Sequence, residues 1–109
     1  MRLAFVFAAL VAWTFPAVAA NCVPETKVRS DIAAWREPVT VAAIEGAEAK
    51  MFLRAFNSLP PASNISADKI LLVEHKIKPN ALLVLFVNDC ALATIAVPNA
   101  TVRLILNSI

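Results

Sequence analysis

The sequence predicts an α+β domain, with two N-terminal helices packed on a three-stranded antiparallel meander and a short C-terminal helix. Apolar residues recur at helical spacing before residue 60 and again after residue 98. Between these two regions lie three short apolar segments, rich in Ile, Leu and Val and separated by turn residues. Because the connections between these segments are short, we expect neighbouring strands to pair in antiparallel order.

Residues 1–20 are expected to be a cleavable secretory signal. The basic residue Arg2 is followed by an uninterrupted apolar segment, residues 3–14, and then by small residues that suit a signal protease. Cleavage after Ala19 and cleavage after Ala20 fit the pattern equally well. An uncleaved membrane anchor is the less favoured alternative, because the apolar segment is shorter than the about 20 residues that span a bilayer.

The expected mature chain, residues 21–109, has the size of a single small domain. Removal of residues 1–20 takes Arg2 alone from the charged set, so the net charge falls from +2 to about +1. A chain so close to neutral has no electrostatic footprint for nucleic acid. We therefore expect a secreted or periplasmic protein with no nucleic-acid partner and no stable membrane span after cleavage, and we leave a protein partner open.

Cys22 and Cys90 are expected to form a structural disulfide, because pairing is the usual state of two cysteines in an exported chain. The bridge would close a loop of roughly 70 residues, for which loop-closure entropy predicts a stabilisation of about 4 kcal/mol. One alternative is a lipid on Cys22, as on the first mature residue of bacterial lipoproteins, but Asn21 before it is not small. The other is a reactive thiol at Cys90, which has no second cysteine nearby.

The first helix is predicted within residues 24–36. Its apolar residues fall at i, i+4 and i+7, and Glu25 precedes Arg29 by four residues, the favourable orientation for an ion pair on a helix. Pro38 ends this helix, because the residue before a proline disfavours helical geometry. The sequence leaves residues 39–43 open, as a brief strand or as the run-in to the second helix.

The other two helices have stronger periodicity. Residues 49–56 repeat apolar side chains at i, i+3, i+4 and i+7, with polar residues on the opposite side, and two prolines at 60–61 follow. After Asn99 the apolar residues again recur at helical spacing. A strand over residues 102–106 is the alternative for this tail, and we favour the helix.

The three strands are predicted over residues 70–73, 82–87 and 92–97. Asn88 and Asp89 supply a turn signal between the last two strands. The middle strand has no polar residue to mark a solvent-facing side. We therefore expect it to be covered on both faces, by the helices on one and by the C-terminal segment or a partner protein on the other.

No motif in the sequence predicts a catalytic, cofactor or metal site. The single glycine excludes glycine-rich phosphate loops, and His75 with two distant cysteines gives no metal-ligand cluster. His75 follows Glu74 at a strand end, where we expect an exposed histidine. We therefore expect a non-enzymatic binding or inhibitor-type module of the periplasm or exterior. The alternative is a small exported hydrolase or thiol-dependent enzyme that uses His75, Asp89 or Cys90.

Two structural features distinguish these alternatives. A binding role predicts that the middle strand or its neighbours leave an exposed apolar patch. An enzyme predicts that His75 lies close to another polar side chain at a pocket.

Overall fold

The computed structural model describes residues 22–109, so the expected signal segment lies outside the described residues. The fold consists of one four-stranded antiparallel sheet and three helices. In the chain, one helix precedes the first strand, one follows it and one follows the last strand. Neighbouring strands pair in the order β1-β2-β3-β4. Within residues 22–109 no helix has the length and apolar character needed to cross a membrane. The elements are α1 (Glu25–Ala33), β1 (Val39–Glu45), α2 (Gly46–Ser58), β2 (Lys69–His75), β3 (Asn80–Val87), β4 (Cys90–Pro98) and α3 (Asn99–Ser108).

The predicted fold class is wrong, because the sheet has four strands and its first strand lies between the first two helices. Val39 and Val41 favour extended backbone, since β-branched side chains pack well on a pleated surface. The sequence does not decide between strand and helix here, because the alanines that follow suit a helix equally well. β1 ends at Glu45, and the next residue, Gly46, has a φ of +60°, a backbone conformation that side-chain-bearing residues rarely adopt.

The first face of the sheet, towards α2 and α3, carries the main core. Phe52 of α2 and Val102 of α3 are fully buried there. Residues 102–106 belong to α3, so the helix favoured for this tail is confirmed over the strand. α3 lies beside α2 on the same face of the sheet. Strand residues of this core alternate with residues of the other face, as the period of two requires. They include Ile70, Leu72, Ala81, Leu83 and Leu85.

The second face of the sheet is covered by α1. Leu71, Val84 and Phe86 form a smaller core on this face, with Val28 of α1 packed against it. The middle apolar strand is therefore covered on both faces over Val84 and Phe86, where the second cover is α1 rather than the C-terminal segment or a partner protein. Because α1 has nine residues, it is only about 14 Å long, whereas the nine residues of β4 extend about 30 Å.

A covalent bond and a backbone hydrogen bond fix the segment before α1 to the start of β4. The sulfurs of Cys22 and Cys90 form a disulfide with an S–S distance of 2.00 Å, the pairing that the cysteine count predicts. Next to it, the Ala91 backbone N–H donates to the Val23 carbonyl oxygen at 2.9 Å. The N-terminal end of α1 is therefore held at the β3–β4 end of the sheet.

Glu25, the first residue of α1, adds an electrostatic contact to the same attachment. Its carboxylate accepts hydrogen bonds from Lys69 Nζ of β2 and from Arg29 Nε, both at 2.6 Å. The pair with Arg29 confirms the ion pair predicted from the four-residue spacing. The bond from Lys69, followed by that from Arg29, lowers the pKa of Glu25 below its ordinary value of 4.5.

We expect the double variant Cys22→Ser/Cys90→Ser to lose about 4 kcal/mol of unfolding free energy. The bridge joins residues 68 positions apart, and opening so long a loop restores chain entropy to the unfolded state. Urea unfolding of the variant and of the oxidised wild type measures the difference. Superimposable unfolding curves would contradict the stabilising role of the bridge.

We expect Glu25→Gln to be less stable than the wild type near neutral pH, and the difference to shrink in acid. Because the pKa of Glu25 is lower in the folded state, its ion pairs stabilise the fold above pH 4.5. This contribution disappears as the pH falls through the folded-state pKa. Urea unfolding near neutral pH and at about pH 3 tests the expectation.

The control for this variant is Glu48→Gln, since Glu48 is an exposed glutamate of α2 that makes no ion pair with any described residue. A stability difference for Glu25→Gln that is equally large at both pH values would show that packing, and not charge, is responsible.

Candidate functional site

The three residues of the enzyme alternative do not come together in the structure. His75 ends β2, whereas Asp89 and Cys90 lie at the β3–β4 turn, beside the start of β2. The length of β2 separates the two locations by about 20 Å. The described residues contain no free cysteine, since Cys90 is bonded to Cys22.

Asp89 has a structural role in the β3–β4 turn. Asn88 and Asp89 have φ values of 51° and 63°, the left-handed conformation that a two-residue hairpin turn requires at both positions. Asn and Asp tolerate this conformation better than other residues with a side chain. The Asp89 carboxylate also accepts a hydrogen bond from the backbone N–H of Glu25 at 3.3 Å. It therefore helps to fix the start of α1.

His75 is not the exposed histidine that the sequence predicts. Its side chain is only 12% exposed, and its Nδ1 lies 3.5 Å from a carboxylate oxygen of Glu37. Lys78 Nζ donates to the other Glu37 oxygen at 2.7 Å, and this bond lowers the pKa of Glu37. Glu37 therefore stays ionised near neutral pH, beside the imidazole.

The pocket at His75 is open and has a volume of about 340 Å³. Trp35 and Leu82 form its apolar part, and Arg36 lies at the same rim with Glu37. No serine, threonine or cysteine is among the described residues that line it. The pocket thus offers an imidazole–carboxylate pair and an aromatic surface, but no side-chain nucleophile.

Beyond α1, the second face of the sheet is open along β4. Ala96 pairs with Leu82 of β3, so Ala96 lies on the second face, as does Thr94 two residues before it. Both are exposed. Leu92, at an irregularity in the pairing with β3, is 53% exposed, and Trp35 is 40% exposed. We call these five residues, Trp35, Leu82, Leu92, Thr94 and Ala96, the open strip.

β4 is also an edge strand, and none of its nine residues is charged. Apart from the bond between Ala91 and Val23, no backbone group on its outer side pairs with the backbone of residues 22–109. Edge strands usually carry charges, prolines or bulges that prevent further pairing. Here the irregularity at Leu92 and the final Pro98 leave residues 93–97 regular and unpaired on that side by the described backbone.

The other edge strand, β1, lacks an equivalent apolar surface. Its exposed residues before Glu45 are Thr40, Ala42 and Ala43, which are all small. Glu45 then places a charge at the end of this strand. The uncharged edge next to large exposed apolar side chains is therefore a property of β4.

The segment that precedes α1 does not occupy the free edge. Cys22 is bonded to Cys90 and Val23 lies next to Ala91, so the two segments run in the same direction. Cys22, the first described residue, therefore lies beside Cys90 at the β3–β4 turn and not beside residues 93–97. The described N-terminal residues therefore do not cover the outer side of β4 along residues 93–97.

Sequence reasoning identified the cysteine pair but missed the open strip and the free edge. A signal was present, because the sequence has no charged residue between Asp89 and Arg103. This absence indicates an exposed edge only once the strand order is known. A buried central strand has the same composition.

Comparison of the chain with protein-family models, with curated proteins and with solved structures found no match. Function is therefore inferred from the side chains and backbone groups of this protein alone.

Proposed function

We propose that this protein is an exported binding module that takes up an extended segment of a partner protein along β4. The observation that carries the proposal is the uncharged edge of β4, which is bordered by the open strip and which no backbone group of residues 22–109 pairs with over residues 93–97. Addition of a strand to an exposed sheet edge is a common mode of peptide recognition.

Affinity in this mode comes from the backbone, and specificity comes from alternate side chains. A strand paired with β4 would place every second side chain beside Leu92, Thr94 and Ala96, on the second face of the sheet. Trp35 and Leu82 would receive a large side chain at the end of this row, in the pocket next to His75. Tryptophan is among the residues that contribute most binding energy at interfaces.

The chemistry of the strip defines the partner segment. Because β4 and its exposed side chains carry no charge, the partner needs apolar residues at every second position and few charges between them. An extended segment with this alternation is already suited to pair as a strand.

Export is part of the proposal and is supported by two features. Residues 1–20 have the pattern of a secretory signal. The Cys22–Cys90 disulfide is compatible with an oxidising compartment, where such bonds persist. The partner is therefore sought in the periplasm or outside the cell.

The enzyme alternative now depends on His75 and Glu37 alone, since Asp89 and Cys90 are distant and have structural contacts. Such an enzyme would use His75 to activate a water molecule, because its pocket provides no nucleophilic side chain among the described residues. Hydrolysis of a bound peptide by the wild type, abolished in His75→Gln, would favour this alternative over simple binding.

We expect Thr94→Lys to weaken peptide binding on the order of tenfold, because it places a charge in the middle of the open strip and on the free edge. The ligands are linear peptides selected on the wild-type protein from a random phage-displayed library. We expect the selected peptides to alternate apolar residues with a period of two. Titration of synthetic versions by calorimetry measures the affinities.

The matched control is Thr40→Lys, an exposed threonine on the opposite edge strand β1. It should bind the selected peptides as the wild type does. Equal binding by Thr94→Lys and the wild type would contradict the proposal. So would concentration-dependent dimerisation of the wild type that Thr94→Lys abolishes, because a second copy would then occupy the edge.

A further inference from the structure

A groove on the other side of the molecule lies between α2 and the loop that follows it. It has a volume of about 330 Å³ and an open shape. Lys50, Arg54 and Asn57 of α2 line one wall, and residues 63–67 of the loop line the other, with Leu53 between them. Since α2 packs on the first face of the sheet, this groove is separate from the open strip on the second face.

Among the described residues that line this groove, only Lys50 and Arg54 are charged. They are four residues apart on one helix, where like charges are neighbours and repel each other. Neither forms an ion pair with a described residue. Most cations of the described chain do have an acidic partner, namely Lys27, Arg29, Lys69, Lys78 and Arg103.

The loop wall of the groove is held in place by Asn57. Its Nδ2 donates to the Ile65 carbonyl oxygen at 2.9 Å, and its Oδ1 accepts from the Ile65 N–H at 3.0 Å. The Ser63 hydroxyl donates to the same Oδ1 at 2.9 Å. The loop thus has a fixed position relative to the two cations, which reduces the entropy lost on binding a ligand.

Two further polar side chains of this wall are available to a ligand. Asn64 and Ser66 are exposed, and neither side chain makes a hydrogen bond to another described residue. An amide and a hydroxyl can both donate to the oxygens of an anion. The described lining of the groove therefore combines two positive charges with two free donors and no acidic group.

We propose that this groove binds a compact dianion, either a phosphate monoester or a dicarboxylate. Two positive charges match the charge of such a group, and an anion between Lys50 and Arg54 relieves their mutual repulsion. The Arg54 guanidinium can bind a phosphate or a carboxylate with two parallel hydrogen bonds. The volume suits one small ligand, and none of the described lining residues is an aromatic that could stack on nucleic-acid bases.

The test is an NMR titration of the full disulfide-bonded protein with inorganic phosphate and, separately, with succinate, at constant ionic strength. We expect saturable shifts of the amides of residues 50–57 and 63–67, with a dissociation constant in the millimolar range. Lys50→Gln and Arg54→Gln should each weaken binding by about tenfold, since each removes a charge-assisted hydrogen bond. Both residues are exposed, so the variants should keep the wild-type spectrum elsewhere.

The matched controls are Lys76→Gln and Arg36→Gln, exposed cations outside the groove that make no ion pair within residues 22–109. They should bind as the wild type does. Saturation by phosphate alone assigns the groove to phosphate esters, and saturation by succinate alone assigns it to dicarboxylates. The proposal is overturned if neither dianion gives saturable shifts, or if sodium chloride produces the same shifts. It is also overturned if the control variants bind as weakly as Lys50→Gln does.

Discussion

The Cys22–Cys90 disulfide fixes where α1 lies on the second face of the sheet. A nine-residue helix such as α1 is too short to be stable alone in water. It is held against Leu71, Val84 and Phe86 by the bridge at its N-terminal side and by the ion pair between Glu25 and Lys69. The attachment lies at one end of the sheet, so the helix protects that end and leaves the rest of β4 open.

This partial cover connects the core to the proposed function. β3 needs protection on both faces because its side chains from Ala81 to Val87 are all apolar. α1 supplies that protection over Val84 and Phe86, while Leu82 remains half-buried below Trp35. The same arrangement that buries the second core therefore creates the open strip. Complete cover would need a longer helix, and the free edge of β4 would then lose its apolar border.

The sequence predicted those features that depend on local spacing or on residue counts. Helical periodicity placed the helices, and the presence of two cysteines in a chain expected to be exported indicated their pairing. β1 could not be distinguished from a helical run-in, because Ala42 and Ala43 suit both and only the pairing with β2 decides between them. The sequence could not predict the surroundings of His75 either. Glu37 is distant from His75 in the sequence and comes close to it only because β1 pairs with β2.

The candidate sites depend on still longer-range information. Thr94 and Ala96 form part of a surface only because β4 is an edge strand and because α1 does not cover these two residues. Lys50 and Arg54 are an ordinary solvent-facing pair in the sequence. They become one wall of a groove because Asn57 fixes the following loop opposite them. Neither feature has a local sequence signature.

The most direct test of a disulfide-anchored α1 beside a free β4 edge is amide hydrogen exchange, measured residue by residue with and without reductant. In the oxidised protein we predict that protection alternates along residues 93–97, because every second N–H of an edge strand points to solvent. After reduction, protection should fall in α1 while α2, β2 and β3 keep theirs. Uniform protection along β4 in the oxidised protein, or unchanged protection of α1 after reduction, would contradict this account.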